Sequence, residues 1–163
     1  LPNTACGKLY RAELFDGIFF KKGRVHEDVE ILHHLFSKAR NISCASSVVY
    51  HYYMRSDSIM HQDTSKRRMD FFLSYFERYN YLENETAKRY TLKFCIDGSY
   101  RILYLSDGFI YDEEDLKLVK SFWEQHKNVD SLGLRYYLKC KYPKLCRFMR
   151  AQSDRIRKVI KKI

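Results

Sequence analysis

Hydrophobic side chains recur three or four residues apart over much of the second half of the chain. From Met69 onward the apolar positions include Phe72, Phe76, Tyr79 and Leu82, which is the spacing of one face of an α-helix. Similar patterns predict further helices near 94–105, 115–126 and 132–139. Pro143 is placed to begin a last helix, because the first turn of a helix does not use the N–H that proline lacks. The chain is therefore predicted to be helical from about residue 63 to its end.

The first sixty residues follow a mixed pattern. Helical spacing predicts a short helix at 7–15 and a longer one at 25–39. The segments 18–20 (IFF) and 42–53 (ISCASSVVYHYY) are rich in β-branched and aromatic residues, which is typical of strands. Strands that alternate with helices usually form a partly parallel sheet, so we expect an α/β fold here. Two or three strands do not complete such a sheet, which suggests the closing portion of a larger domain.

Length and composition indicate one folded domain with a substantial core. The chain has 163 residues, 45% of them hydrophobic, and no apolar run approaches the ~20 residues of a membrane-spanning helix. The cysteines are odd in number, scattered and without a CxxC pair, which argues against structural zinc and favours a reducing, cytoplasmic setting. They are Cys6, Cys44, Cys95, Cys140 and Cys146.

The positive charge is concentrated at the C-terminal end. The formal net charge is +10, and residues 139–163 hold ten Lys or Arg against the single acid Asp154. Leu145, Met149 and several later apolar residues fall on one helical stripe, with the basic residues largely away from it. Such a helix can lie on an anionic membrane surface, and this interpretation is favoured. The alternatives are a terminal helix packed on the body and a nucleic-acid contact, although no RNA or DNA motif is present.

Three ordered segments in the first 62 residues carry a resemblance to a known family. They are NTACGKLYRAELF (3–15), GIFFKKGRVHEDVEILHHLFSKARNI (17–42) and VYHYYMRSDSIMHQ (49–62). As a set they resemble the second half of bacterial family 2 glycosyltransferases, with their KLY-R-x-L-F, F-x-x-G-x-x-x-E-D and Y-x-x-R-x-x-S-I segments. Each segment alone is a weak signal, but their order and spacing make the set fairly specific.

The resemblance implies a fold and an activity. The fold would be the GT-A fold, a Rossmann-like α/β sandwich. The activity would be inverting transfer of a sugar from a nucleotide-sugar donor to an acceptor hydroxyl, in cell-surface polysaccharide synthesis. A divalent metal, Mg²⁺ or Mn²⁺, would be held mainly by a D-x-D motif that this sequence does not contain. The chain would then be a fragment of the enzyme, without its nucleotide-binding half and inactive by itself. Residues 1–62 would form the acceptor side of the catalytic domain, 63–138 a helical region and 139–163 a basic amphipathic helix.

The Glu27-Asp28 pair is the principal candidate for catalysis. Acidic residues at the start of a helix are often structural, because they meet free N–H groups and the positive end of the helix dipole. In the family that the sequence resembles, the residue that matches Asp28 is the general base, and a positioned carboxylate contributes ~10²–10⁴-fold to proton removal from a hydroxyl. With the flanking segments present, we favour the base role for Asp28, which is compatible with a cap, and a supporting role for Glu27.

Four other residues are candidates by resemblance. Arg55 and Ser58 lie in a segment that would close over the donor diphosphate, and the Arg55 guanidinium group is well suited to bind phosphate oxygens. An exposed ion pair between Arg55 and Asp57 is an equally good interpretation. Lys8 would lie near a phosphate of a lipid-linked acceptor, or it is simply a surface lysine, which we favour. His61 is a weak candidate for a metal ligand.

A function from another class also fits the sequence. The helical region and the basic tail are compatible with a non-catalytic interaction module that binds an anionic membrane or a nucleic acid. For the enzyme, the partners would be a nucleotide-sugar donor and a saccharide or lipid-linked acceptor, with the protein in the cytoplasm or on the inner face of the plasma membrane.

Overall fold

The computed structural model describes residues 3–51, 53, 63–128 and 132–160, with side chains up to residue 155. Within this part of the chain the elements are a 3-10 turn at Ala12–Phe15 and six α-helices. The helices are α1 (Glu27–Lys38), α2 (Ser65–Tyr81), α3 (Glu85–Tyr104), α4 (Glu113–His126), α5 (Leu134–Lys141) and α6 (Pro143–Ile160). None of these helices is long and apolar enough to cross a membrane.

The predicted α/β fold is wrong, and with it the GT-A architecture. No strand is present in the ranges that the structure describes, and residues 18–20 and 42–51 are irregular backbone. Phe19 and Val48, which lie in the predicted strands, are 79% and 78% exposed. A strand is stabilised by neighbouring strands and by packing on a hydrophobic face. Neither segment has a neighbouring strand in the described part of the chain, and residues 42–51 are exposed. The predicted helix at 7–15 is also reduced to the 3-10 turn.

The predicted helices of the second half are confirmed. Three of them begin with a side chain that accepts a hydrogen bond from a free N–H of the first turn, as an N-cap does. Thr64 accepts from Arg67 N over 3.1 Å, Asn84 from Ala87 N over 3.0 Å, and Asp112 caps α4 in the same way. Pro143 is the first residue of α6, as its missing N–H allows.

The main core lies between α2, α3 and α4. Phe72, Cys95 and Val119, one from each helix, are completely buried at its centre, and the single tryptophan, Trp123, packs among them. Gly98 brings α3 unusually close to α2, because a Cβ atom there would lie 3.2 Å from the Phe72 Cα. This close approach explains why a glycine is tolerated inside the 20-residue helix α3.

A second, smaller core forms around α1. Its buried residues are Ile31, Leu32 and Leu35, and side chains from the preceding segment pack against them, namely Tyr10, Leu14, Phe15 and Ile18 together with Phe36 of α1 itself. Val29, also on α1, belongs to the main core. Helix α1 therefore joins the two cores, and its N-terminus is fixed from both sides.

Candidate functional site

The backbone is strained immediately before the Glu27-Asp28 pair. His26 has a φ of 71°, in the left-handed region that non-glycine residues seldom adopt. It is the residue that precedes helix α1, and its side chain makes no capping hydrogen bond. The imidazole ring packs edge-on against Phe71 at 5.3 Å instead. Such strain persists only where the surroundings enforce it, and it occurs often at functional sites.

The His26 ring also reports the charge environment of this turn. Burial lowers the pKa of His26, and the nearby Arg67 lowers it further, while Asp28 and Glu27 act in the opposite direction. Both carboxylates of the pair therefore lie close to the His26 ring. Glu27 and Asp28 are each half-buried in the first turn of α1, where the helix dipole favours negative charge.

Asp28 connects the N-terminal segment to helix α1. Its Oδ2 accepts a hydrogen bond from the backbone N–H of Ala5 over 3.3 Å, and its Oδ1 accepts from the N–H of Val29 over 2.9 Å. The second bond satisfies a donor of the first helical turn, so Asp28 has the structural role of a cap. Each carboxylate oxygen has two lone pairs, and one on each remains for a further donor. The structural and chemical roles are thus compatible in geometry.

A buried ionic cluster fixes the turn that leads into α1. Asp70 on α2 is 4% exposed and accepts hydrogen bonds from Arg24 Nη1 and the Val25 N–H, both over 2.9 Å, and from Lys66 Nζ over 2.8 Å. Burial by itself would raise the pKa of Asp70, but the hydrogen bonds from Lys66, Val25 and Arg24 outweigh it and lower the pKa. Asp70 therefore holds the backbone only three residues before Asp28.

Two further acids extend this cluster along the α1–α2 interface. Glu30 of α1 is buried beside Lys21, with Arg24 Nε 3.5 Å from its carboxylate, and Glu77 of α2 accepts from Lys21 over 3.0 Å. Burial raises the pKa of Glu30. Burial would also raise the pKa of Glu77, but the hydrogen bonds with Glu30 and Lys21 outweigh it and lower that pKa.

The N-terminal segment is also tied directly to α2. Arg78 Nη1 donates to Asn3 Oδ1 over 2.9 Å, and Asn3 Nδ2 donates to the Tyr75 hydroxyl over 3.1 Å. Together with the bond from Ala5 to Asp28, these contacts give residues 3–6 a defined position beside the α1 N-terminus.

A large cleft opens next to this anchored segment. Its volume is about 1500 Å³, and it lies between residues 4–14 on one side and residues 39–50 on the other, with Leu35 and Phe36 of α1 at its base. Tyr10 links the cleft to Asp28: it lines the cleft, and burial followed by the charge of Asp28 raises the pKa of its hydroxyl. Asp28 itself does not line the cleft; it accepts a hydrogen bond from Ala5, whose sequence neighbours Thr4 and Cys6 do line it.

The charged residues that line the cleft are mostly basic. They are Lys8, Arg11 and Arg40, against the single acid Glu13. Lys8 Nζ donates to the Thr4 carbonyl, which positions it but leaves two of its three donors free. Both arginines are exposed, and their side chains make no ion pair or hydrogen bond with the residues that the structure describes. Sequence reasoning missed them, because only the folded chain brings residues 11 and 40 to one cleft.

The remaining sequence candidates, Arg55, Ser58 and His61, lie outside the described residues. In the parts of the chain that are described, no three His, Cys, Asp or Glu side chains come together as ligands for a metal ion. The divalent metal that the resemblance implies, held mainly by a motif that this sequence does not contain, therefore stays a prediction.

Comparison with known proteins adds no family assignment. No protein-family model matches this chain, and neither a curated protein nor a solved structure matches it. The resemblance to family 2 glycosyltransferases consequently stays a prediction from the sequence.

Proposed function

We propose that this chain carries the acceptor-side residues of an inverting sugar-transfer reaction, with Asp28 as the general base. The observation that supports the proposal is the hydrogen bond from the Ala5 N–H to the Asp28 carboxylate, which joins Asp28 to the segment that borders a basic cleft. The resemblance of the E-D segment supports the same assignment. The setting that we propose is cell-surface polysaccharide synthesis on the cytoplasmic side of the membrane.

In the proposed step, an acceptor hydroxyl in the cleft attacks the anomeric carbon of a nucleotide sugar. The new bond joins the acceptor oxygen to that carbon, while the bond from the carbon to the phosphate oxygen breaks. The nucleoside diphosphate leaves with the electron pair, and the hydroxyl proton passes to Asp28. A carboxylate positioned in this way contributes ~10²–10⁴-fold to the rate.

The cations of the cleft would receive the charge of the diphosphate. Guanidinium groups present planar donors that match phosphate oxygens, and Arg11 and Arg40 have such donors available. The volume of about 1500 Å³ exceeds the ~300–1000 Å³ of a typical small-molecule pocket, so a donor and an acceptor fit together. Lys8, at the same cleft, would contact a phosphate of a lipid-linked acceptor.

The proposal is tested with a panel of nucleotide sugars and saccharide acceptors, by measuring release of nucleoside diphosphate. Asp28→Asn should lower kcat by ~10²–10⁴-fold with little change in KM. Arg11→Gln and Arg40→Gln should raise KM for the donor. Glu13→Gln, which changes an acid in the same cleft, is the matched control and should leave kcat unchanged. Thermal unfolding of each variant confirms that the fold is retained.

Two results would overturn this function. One is that the protein binds none of the saccharide acceptors, with binding followed by saturation-transfer NMR. The other is turnover that Asp28→Asn leaves at the wild-type rate, in which case Asp28 is structural only.

A second candidate function is a non-catalytic helical interaction module. The specific observation in its favour is the uncovered apolar face of α6, which a cleft enzyme does not require. The two functions would use different surfaces of the chain.

A further inference from the structure

Helix α6 leaves the body of the protein after its first turn. Pro143 and Cys146 are half-buried, and Cys146 packs against the main core. From residue 147 to residue 155, however, every side chain is exposed except Gln152, which is half-buried. Most of the described part of α6 therefore covers no other element.

The first turn of α6 is nevertheless held firmly on α3. The Tyr100 hydroxyl donates to the Pro143 carbonyl over 3.3 Å, and Arg147 pairs with Asp107, just beyond the end of α3. Lys139, in the preceding helix α5, pairs with Asp97 of α3. The helix is thus a projecting arm with a fixed base, and not a free tail.

The exposed part of α6 is strongly amphipathic. Leu145, Phe148 and Met149 lie on one side and are 54%, 60% and 62% exposed. The sequence continues the same stripe at Ile156 and Val159, at helical spacing. Large apolar side chains that are exposed together indicate a surface that another body covers.

The surface of α6 around this stripe is basic. Lys144, Arg147, Arg150 and Arg155 are all exposed, and Asp154 is the single acid of the helix. A partner that covers the apolar stripe must therefore tolerate, or attract, a high density of positive charge on either side of it.

We propose that α6 is a membrane-contact helix that lies in the interface of an anionic bilayer. Its apolar stripe would insert between the acyl chains, and its cations would meet the lipid phosphates, which is the pattern of interfacial helices. The fixed base on α3 would hold the body at a set distance from the lipid. This proposal concerns a surface remote from the cleft, and it does not depend on the transfer reaction.

Two other occupants fit the helix less well. A nucleic acid would neutralise the cations but leave Phe148 and Met149 in water. A second copy of α6 would cover the apolar stripe, but it would bring together two segments that each carry ten basic residues and one acid between residues 139 and 163. An anionic bilayer accommodates both features at once.

The test is co-sedimentation of the full chain with vesicles of phosphatidylcholine and phosphatidylglycerol in equal parts, compared with phosphatidylcholine alone. The double variant Phe148→Gln/Met149→Gln removes apolar contacts, and Arg150→Gln/Arg155→Gln removes two cations. Each should lower the partition coefficient on the anionic vesicles by roughly tenfold or more at low ionic strength.

The matched controls are Ile110→Gln, at an apolar residue 88% exposed on another surface, and Lys117→Gln/Lys120→Gln on α4. Both controls should bind as the wild type does.

Selective binding to the anionic vesicles, weakened by both α6 variants and by neither control, supports the proposal. Failure to bind these vesicles overturns it. Binding that Phe148→Gln/Met149→Gln leaves unchanged also overturns it, because charge alone then explains the contact, and a single-stranded RNA titration would show whether nucleic acid is preferred. If sedimentation velocity shows a dimer that the same variant dissociates, a second copy covers the stripe and the membrane assignment is wrong.

Discussion

The backbone N–H of Ala5 donates a hydrogen bond to Oδ2 of Asp28 over 3.3 Å, across a separation of 23 residues. This single contact joins the segment that borders the cleft to the first turn of α1. The residue proposed as a base is therefore also a structural link. Its two roles are separable by substitution, because a base needs a basic oxygen whereas the link needs only a hydrogen-bond acceptor.

The first prediction concerns the structural role of Asp28. Asp28→Ala should lower the free energy of unfolding by ~1–2 kcal/mol, since it removes the acceptor for the N–H groups of Ala5 and Val29. Asp28→Asn should cost less than half as much, because its amide oxygen still accepts from Ala5. Urea unfolding followed by circular dichroism measures both, with Glu27→Gln as the neighbouring control. An Asp28→Ala protein as stable as the wild type would show that this link contributes nothing in solution.

The second prediction is a loss of stability in mild acid caused by His33. This side chain is 4% exposed, and burial, followed by the charge of His34, lowers its pKa to about 4. In the unfolded chain its pKa returns to about 6.5, so the unfolded state binds the proton first as the pH falls. Stability should be unaffected above pH ~6.5 and should fall by up to ~3 kcal/mol between pH ~6.5 and ~4.

Replacement of His33 by Phe tests this directly. The ring of His33 packs against His34 at 4.1 Å and Tyr81 at 4.8 Å, contacts that Phe retains. Its Nε2 is buried without a hydrogen-bond partner in the described part of the chain, so its removal costs little. At pH 7 the variant should be about as stable as the wild type, and its stability should depend less on pH between ~6.5 and ~4. An unchanged pH profile would exclude His33 as the titrating group.

These residues also show what the sequence allows one to predict. The helices from α2 onward were predictable, because their apolar spacing, caps and the position of Pro143 are local signals. The irregular backbone at 18–20 and 42–51, where strands were predicted, was not, since β-propensity records how well a residue fits a sheet and cannot say whether neighbouring strands exist. Asp28 was likewise predicted from a local sequence segment. Arg11 and Arg40 could not be predicted, because only contacts between residues distant in the sequence bring them to one cleft.

The third prediction concerns Asp70. Removing one member of a buried ion pair leaves its partner uncompensated, so Asp70→Ala should lower the free energy of unfolding by ~3–5 kcal/mol at pH 7. The pKa of Asp70 is lowered in the folded state. The ionised side chain therefore stabilises the protein above the unfolded pKa of ~4, and this stabilisation is lost as the pH falls through the pKa of the folded state. Asp70→Asn should therefore flatten the acid side of the stability profile. Asp63→Asn, at an exposed acid paired with Arg68, is the control and should have a much smaller effect. Equal effects at both positions would contradict the burial argument.

The fourth prediction concerns the closest approach of two helices. A methyl group at position 98 would lie 3.2 Å from both Cα and Cβ of Phe72, and a backbone atom cannot yield unless α2 itself moves. Alanine is favoured over glycine in a helix by ~1 kcal/mol, but overpacking in a filled core costs ~1–3 kcal/mol. Gly98→Ala should therefore destabilise the protein by ~1 kcal/mol, and Gly98→Val by more.

The control is Asn80→Ala, at an exposed position of α2. It changes only the helix propensity and should stabilise the protein slightly. Fluorescence of the single Trp123 in the same core follows the unfolding of each variant. If Gly98→Ala were more stable than the wild type, α2 and α3 would have to lie farther apart in solution than described, and the glycine would need another explanation.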